Sequence, residues 1–128
     1  MKNASRFLLF LLLLFLMLAN GDGYCAENTQ CDGVSGLQKN ANAGDVEVQT
    51  LLGTIYYNGQ CVDQDYVKAS KWFEKAANQG KVFAQMSLGM IYARGDGVKL
   101  DYVKAKEWFK KSYYNGYKRG CEEYKKLK

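Results

Sequence analysis

Leu52 to Asp65 reads LGTIYYNGQCVDQD, and Leu88 to Asp101 reads LGMIYARGDGVKLD. The two stretches lie 36 residues apart and align without a gap. The match runs on: DYVKASKWFEKAANQG (Asp65 to Gly80) aligns with DYVKAKEWFKKSYYNG (Asp101 to Gly116) at the same offset. A fixed period in the range of about 20 to 50 residues signals a stacked-repeat architecture and overrides element-by-element reading. Extended outward, the offset places SGLQKNANAG (Ser35 to Gly44) under KWFEKAANQG and GYKRGCEEYKKLK (Gly116 to Lys128) under GKVFAQMSLGMIY. A decayed half-unit thus flanks the two full units on each side, as capping elements of repeat arrays do.

Apolar spacing divides each unit into two helices. Val48, Leu52, Ile55 and Tyr56 share one helical face, repeated as Ala84, Leu88, Ile91 and Tyr92; Ala69, Trp72, Phe73 and Ala76 share another, repeated as Ala105, Trp108, Phe109 and Ser112. The recurring aromatics read as core. Gly59 and Gly95 are suited to end the first helices, and Asp65 and Asp101 to cap the second ones, which stop at Gly80 and Gly116. Gly53 and Gly89 sit inside a helix, at a cost of about 1 kcal/mol each relative to Ala. Their common register predicts a partner helix packed too closely there for a side chain. The expected fold is all-α: an α-solenoid of stacked antiparallel helix pairs.

The pattern LG-x-x-Y-x-x-G-x-G-V-x-x-D-Y-x-KA-x-x-WF, complete over Leu88 to Phe109, resembles the Sel-1-like repeat, a relative of the tetratricopeptide repeat. Cys61 departs from it, standing where Gly97 keeps the glycine. The resemblance covers residues 35 to 128 and implies a scaffold for protein-protein interaction. It also implies an alternative, since a secreted, cysteine-rich branch of the family has been described as β-lactamase-like or penicillin-binding. That branch carries regularly spaced cysteine pairs within each repeat, and this chain does not.

Ahead of the repeats, Lys2 and Arg6 precede an unbroken apolar run from Phe7 to Ala19, the pattern of a signal peptide. A bilayer-spanning helix needs about 20 apolar residues, so no membrane span is expected in the mature chain. The domains expected are a signal peptide over 1–23, an N-terminal extension with a decayed half-repeat over 24–44, repeats over 45–80 and 81–116, and a C-terminal cap over 117–128. The product is expected to be exported, periplasmic or secreted. Removing residues 1–23 takes away Lys2, Arg6 and Asp22, so the formal charge falls from +5 to +4, too mild for a nucleic-acid surface.

The chain has no histidine, which removes Ser-His-Asp and Cys-His nucleophile activation and every histidine-based metal site. No serine opens an S-x-x-K motif and no C-x-x-C pair occurs. No enzyme activity, metal or cofactor is therefore expected. In an oxidising compartment the four cysteines are candidates for disulfides. Cys25 and Cys61 share one register position and Cys31 lies near it, whereas Cys121 falls in the first turn of a first helix, at the register of Gln49 and Gln85. A bridge needs Cα atoms within about 7 Å, and a three-turn helix is about 16 Å long, so Cys121 should not reach the others and is expected as a half-buried thiol or an intermolecular partner. Cys31–Cys61 is the preferred pair, with Cys25–Cys31 and Cys25–Cys61 open.

A partner surface is expected on the first helices, opposite their core stripe, where repeat proteins contact their partners. It comprises Thr50, Thr54 and Tyr57 in one unit and Met86 and Met90 in the next. The two methionines, four apart, form a soft exposed patch unless the C-terminal half-unit covers them.

Overall fold

In the computed structural model, which describes residues 33–128 together with Leu8, Leu9 and Leu11, the repeat register becomes a ladder of six helices. These are α1 (Val34–Asn42), α2 (Val46–Asn58), α3 (Tyr66–Asn78), α4 (Val82–Arg94), α5 (Tyr102–Tyr114) and α6 (Arg119–Lys126). Among the described residues there is no strand. Consecutive helices pack in chain order, as the solenoid reading requires. The expected signal peptide and the approach to the first half-repeat lie outside the described residues, apart from the three leucines. No described helix is long and apolar enough to cross a membrane.

Helix ends follow the local chemistry. The Asp65 carboxylate accepts from the Lys68 amide, and that of Asp101 from the Val103 and Lys104 amides, satisfying donors that the first turn leaves open. Gly59 and Gly95 close α2 and α4 in the left-handed conformation, at φ 68° and 73°. Cys61 also has a positive φ, 64°, against 68° at Gly97. The glycine of the family pattern thus serves a left-handed turn, and the cysteine adopts that turn despite its Cβ.

The core is made by the first-helix stripe, with Leu52, Tyr56, Leu88 and Ile91 buried, meeting a small-residue stripe of Ala69, Ala76 and Ala77 on α3. Small residues let the helix axes approach, and the two helical glycines carry that further. A Cβ on Gly53 would lie 2.7 Å from the Phe73 ring, and one on Gly89 would lie 2.3 Å from Phe109. Each phenylalanine ring therefore occupies the space a side chain on the glycine would need, as the shared register predicted. The tryptophans differ from expectation. Phe73 and Phe109 are 3% and 1% exposed, whereas Trp72 and Trp108 are only half-buried at the edge of the core. Neighbouring positions on a helix point about 100° apart, so only one of each WF pair can face inward. The outer ring is instead covered by a lysine three residues on, with Lys75 4.3 Å from the Trp72 centroid and Lys111 4.2 Å from that of Trp108.

A polar clamp recurs at the other end of each first helix. Buried Gln49 donates to the Ala41 carbonyl (2.9 Å) and accepts from Gln79 (2.7 Å). One unit later Gln85 donates to the Ala77 carbonyl (3.1 Å) and accepts from Asn115 (2.9 Å). Each glutamine ties the end of the preceding helix to the end of the following second helix, so its amide is satisfied although it is out of water. The third such position is Cys121, a half-buried free thiol. There the array changes character. Gly120 brings the α6 backbone so close to α5 that a Cβ would lie 2.3 Å from the Ser112 hydroxyl oxygen.

Candidate functional site

The first helices turn part of their surface away from the core, and on that surface α2, α4 and the start of α6 enclose a groove of about 320 Å³. Its floor is apolar: the Phe73 ring meets Phe83 edge-on at 6.4 Å between centroids, with Met86 and Met90 alongside. Phe83 is 53% exposed, a large apolar side chain that the other described residues leave largely uncovered. Polar groups stand around this floor. Thr54, Tyr57 and Arg94 lie at one end, and Tyr117 and Arg119 at the α6 side.

Tyr57 is the best-anchored of these. Its hydroxyl donates to the Asp96 carboxylate at 2.9 Å and accepts a longer bond from Arg94 at 3.4 Å, while its ring leans on Tyr66 at 5.1 Å. Because Asp96 belongs to the next unit's loop, this contact fixes the angle between repeats. Burial, then the hydrogen bond to Asp96, raises the phenol above the usual tyrosine value.

The structure gathers Thr54, Tyr57, Met86 and Met90 into this groove, but Thr50 does not line it. Thr50 is buried, and its hydroxyl turns back onto the Val46 carbonyl at 2.8 Å. The exposed methionine patch also needs correction. Met86 is only 9% exposed and packs with Ala105 and Phe109 in a second small core, against which Met90 and Leu127 rest. The C-terminal helix does cover part of this surface, leaving Met86 to show only its groove side. Phe83, Arg94, Phe73, Tyr117 and Arg119 were not expected in this groove, and Phe73 was read as core. A signal for three of them was present. Phe83 takes the register of Glu47, Arg94 that of Asn58, and Arg119 that of Phe83, so each departs from the repeat.

Of the cysteines, Cys61 is disulfide-bonded. The expected pair Cys31–Cys61 has one member, Cys31, outside the described residues, as is Cys25. Among the described residues no cluster of three metal-ligating side chains occurs.

A second recess, of about 480 Å³, lies on the outer face of α3 between Tyr56, Trp72 and the lysines Lys68, Lys71 and Lys75. Although larger, it is internally answered: Lys75 lies over Trp72, Lys68 is 5.3 Å from the Tyr56 centroid, and Glu74 stands among the ammonium groups. The groove, with its uncovered phenylalanine, is the stronger candidate.

Two helix pairs in one 36-residue register whose first helices shape a groove define a helical-repeat scaffold. The sequence model of the Sel1 repeat matches residues 46–81 and 82–117, over half of the chain, and the chain belongs to the Sel1-repeat family. Its fold is similar to that of a Sel1 repeat protein from Oxalobacter formigenes, with 38% identity and a TM-score of 0.73 over 77% of this chain and 29% of that one. It is also similar to a protective antigen of uropathogenic Escherichia coli displaying an SLR fold, with 34% identity and a TM-score of 0.69 over 79% of this chain and 21% of the other. Cysteine-rich protein B of Helicobacter pylori shares the fold at 23% identity, with a TM-score of 0.69 over 77% of this chain and 74% of its own. The chain thus spans under a third of the length of the first two relatives. No curated protein matches it in sequence.

Proposed function

We propose that this chain is an exported scaffold that binds a protein partner through the groove between α2, α4 and α6. The observation that carries the reading is the exposed Phe83 on an apolar groove floor that it shares with Phe73, Met86 and Met90, bounded by polar side chains. Export rests on the basic, then apolar, sequence of residues 2–19, read as part of a signal peptide over 1–23; the destination is the periplasm or the medium. In that oxidising setting Cys31–Cys61 is the proposed pair, and repeats over 45–80 and 81–116 with a cap over 117–128 form the mature scaffold.

Site-specific photocrosslinking tests this. A photoreactive residue at position 83 or 90 should give a discrete crosslinked adduct in the intact cell envelope or medium, whereas one at position 71, on the outer face, should not. Adducts of equal yield from both faces, or turnover of a chromogenic β-lactam by the purified protein, would contradict the proposal.

A further inference from the structure

We infer that the occupant of the groove is a peptide segment that places an acidic side chain beside an aromatic or long aliphatic one; this deepens the proposed function and rests on it. The apolar half of the recognition follows from the floor. Phe83 and Met90 offer an aromatic edge and a flexible thioether, surfaces that accept a large apolar side chain with little demand on its shape.

The acidic half follows from the charges. Arg94 and Arg119 both line the groove, and among the described residues no aspartate or glutamate does. The nearest carboxylate of the loop, Asp96, is committed to the Tyr57 hydroxyl. Arg94 spends one donor on that same hydroxyl, at 3.4 Å. Arg119 reaches Glu123 only through Nε at 3.8 Å, and the Glu123 oxygen it approaches already accepts from Lys126 at 2.7 Å. A guanidinium has five donors in a planar fork, so both arginines keep the paired N–H groups that clasp a carboxylate. Beside an apolar floor that sheds water on binding, such a pair gains more than it would on an open surface.

Register shows that this charge belongs to the groove and not to the repeat. The unit that precedes it has Asn58 where Arg94 stands and Glu47 where Phe83 stands. The outer recess makes the contrast, since its lysines are interleaved with Glu74 and folded over their own aromatics.

The test uses two synthetic dodecapeptide libraries with the same Phe, Leu and Trp positions, one with Asp and Glu at the variable positions and the other with the isosteric Asn and Gln. Binding to the purified protein is followed by fluorescence anisotropy. The acidic set should bind about tenfold more tightly, the factor that one charge-assisted pair supplies. In Arg94→Gln/Arg119→Gln the two sets should become equal, and in Phe83→Ser both should weaken; circular dichroism checks that each variant keeps its helix content. Equal binding of both sets to the parent, with Phe83→Ser still weakening them, would overturn the acidic occupant and leave the groove reading standing. Binding indifferent to Phe83→Ser and Met90→Ser would overturn the groove reading and this inference with it. Binding by neither set would overturn the peptide occupant.

Discussion

The two repeats are built on the same core and present different surfaces. Leu52 and Leu88, Ile55 and Ile91, Phe73 and Phe109, and Gly53 and Gly89 are identical pairs, and each is buried. Glu47 and Phe83, Thr54 and Met90, and Asn58 and Arg94 are unlike pairs, and all but Glu47 line the groove. At these positions identity in register goes with packing and disagreement with the surface that could recognise something else, although Val67 and Val103 are identical and 48% and 70% exposed. The comparison also separates two kinds of aromatic. Phe73 and Phe109 are held by bare glycine backbone, whereas Trp72 and Trp108 share the adjacent register yet are covered mainly by lysines.

The largest effects should come from breaking the shared core. Phe73→Ala and Phe109→Ala should each cost about 3–5 kcal/mol, enough to unfold a domain of this size. Trp72→Ala and Trp108→Ala, at the core's edge, should cost less. Chemical denaturation midpoints check the order; tryptophan variants as destabilised as the phenylalanine ones would show that the lysine-covered rings are structural after all.

Next in size is the close approach. Gly53→Ala and Gly89→Ala should each destabilise by about 1–3 kcal/mol through overpacking, with Gly89 the worse because its ring is nearer. A gain in stability, as helix propensity alone would give, would mean that the phenylalanines have room to move. Replacing Gln49 or Gln85 by Ala should cost about 1 kcal/mol, since Gln79 or Asn115 loses one acceptor and the Ala41 or Ala77 carbonyl keeps only its backbone partner.

Of the same order, losing one cap, as in Asp101→Ala, should cost about 1 kcal/mol. The smallest effect is alkaline. Tyr57 keeps its proton in the folded state above the usual tyrosine value, so its contribution is complete below pH of about 10 and fades as pH rises through the folded pKa. Above that pH, Tyr57→Phe should lose less stability than the parent. Parallel stability curves for the two proteins would show that Tyr57 does not carry the raised pKa.

Much of the framework was legible in the sequence because the repeat states each structural demand twice. Gly89 alone is an oddity in a helix; Gly53 in the same register turns it into a packing requirement. Asp65 and Asp101 gave the second-helix starts by the same doubling. What periodicity could not resolve was which member of a WF pair faces inward. Both rings are apolar, and the discriminating feature, a lysine three residues on lying over one ring, is a matter of side-chain conformation. Thr50 was misplaced for a related reason: its hydroxyl is satisfied by its own helix, so a polar residue could be buried where the pattern suggested exposure. The groove was half legible. Thr54, Tyr57, Met86 and Met90 came from the first-helix face, while Phe73, from a second helix, and Tyr117 and Arg119, from the terminal half-unit, join it only through tertiary packing.

The central claim is that the shared core carries the fold and the divergent register carries recognition. The most direct test rewrites the second repeat's groove positions as the first repeat has them, in the triple variant Phe83→Glu, Met90→Thr, Arg94→Asn. The readout pairs the thermal unfolding midpoint with the crosslinked adduct formed from a photoreactive residue at Tyr117. The account predicts a cooperative transition with a midpoint lowered by no more than about ten degrees, as three changes of about 0.5 kcal/mol each allow in a domain of this size, together with loss of the adduct. An undiminished adduct from a folded triple variant would contradict it.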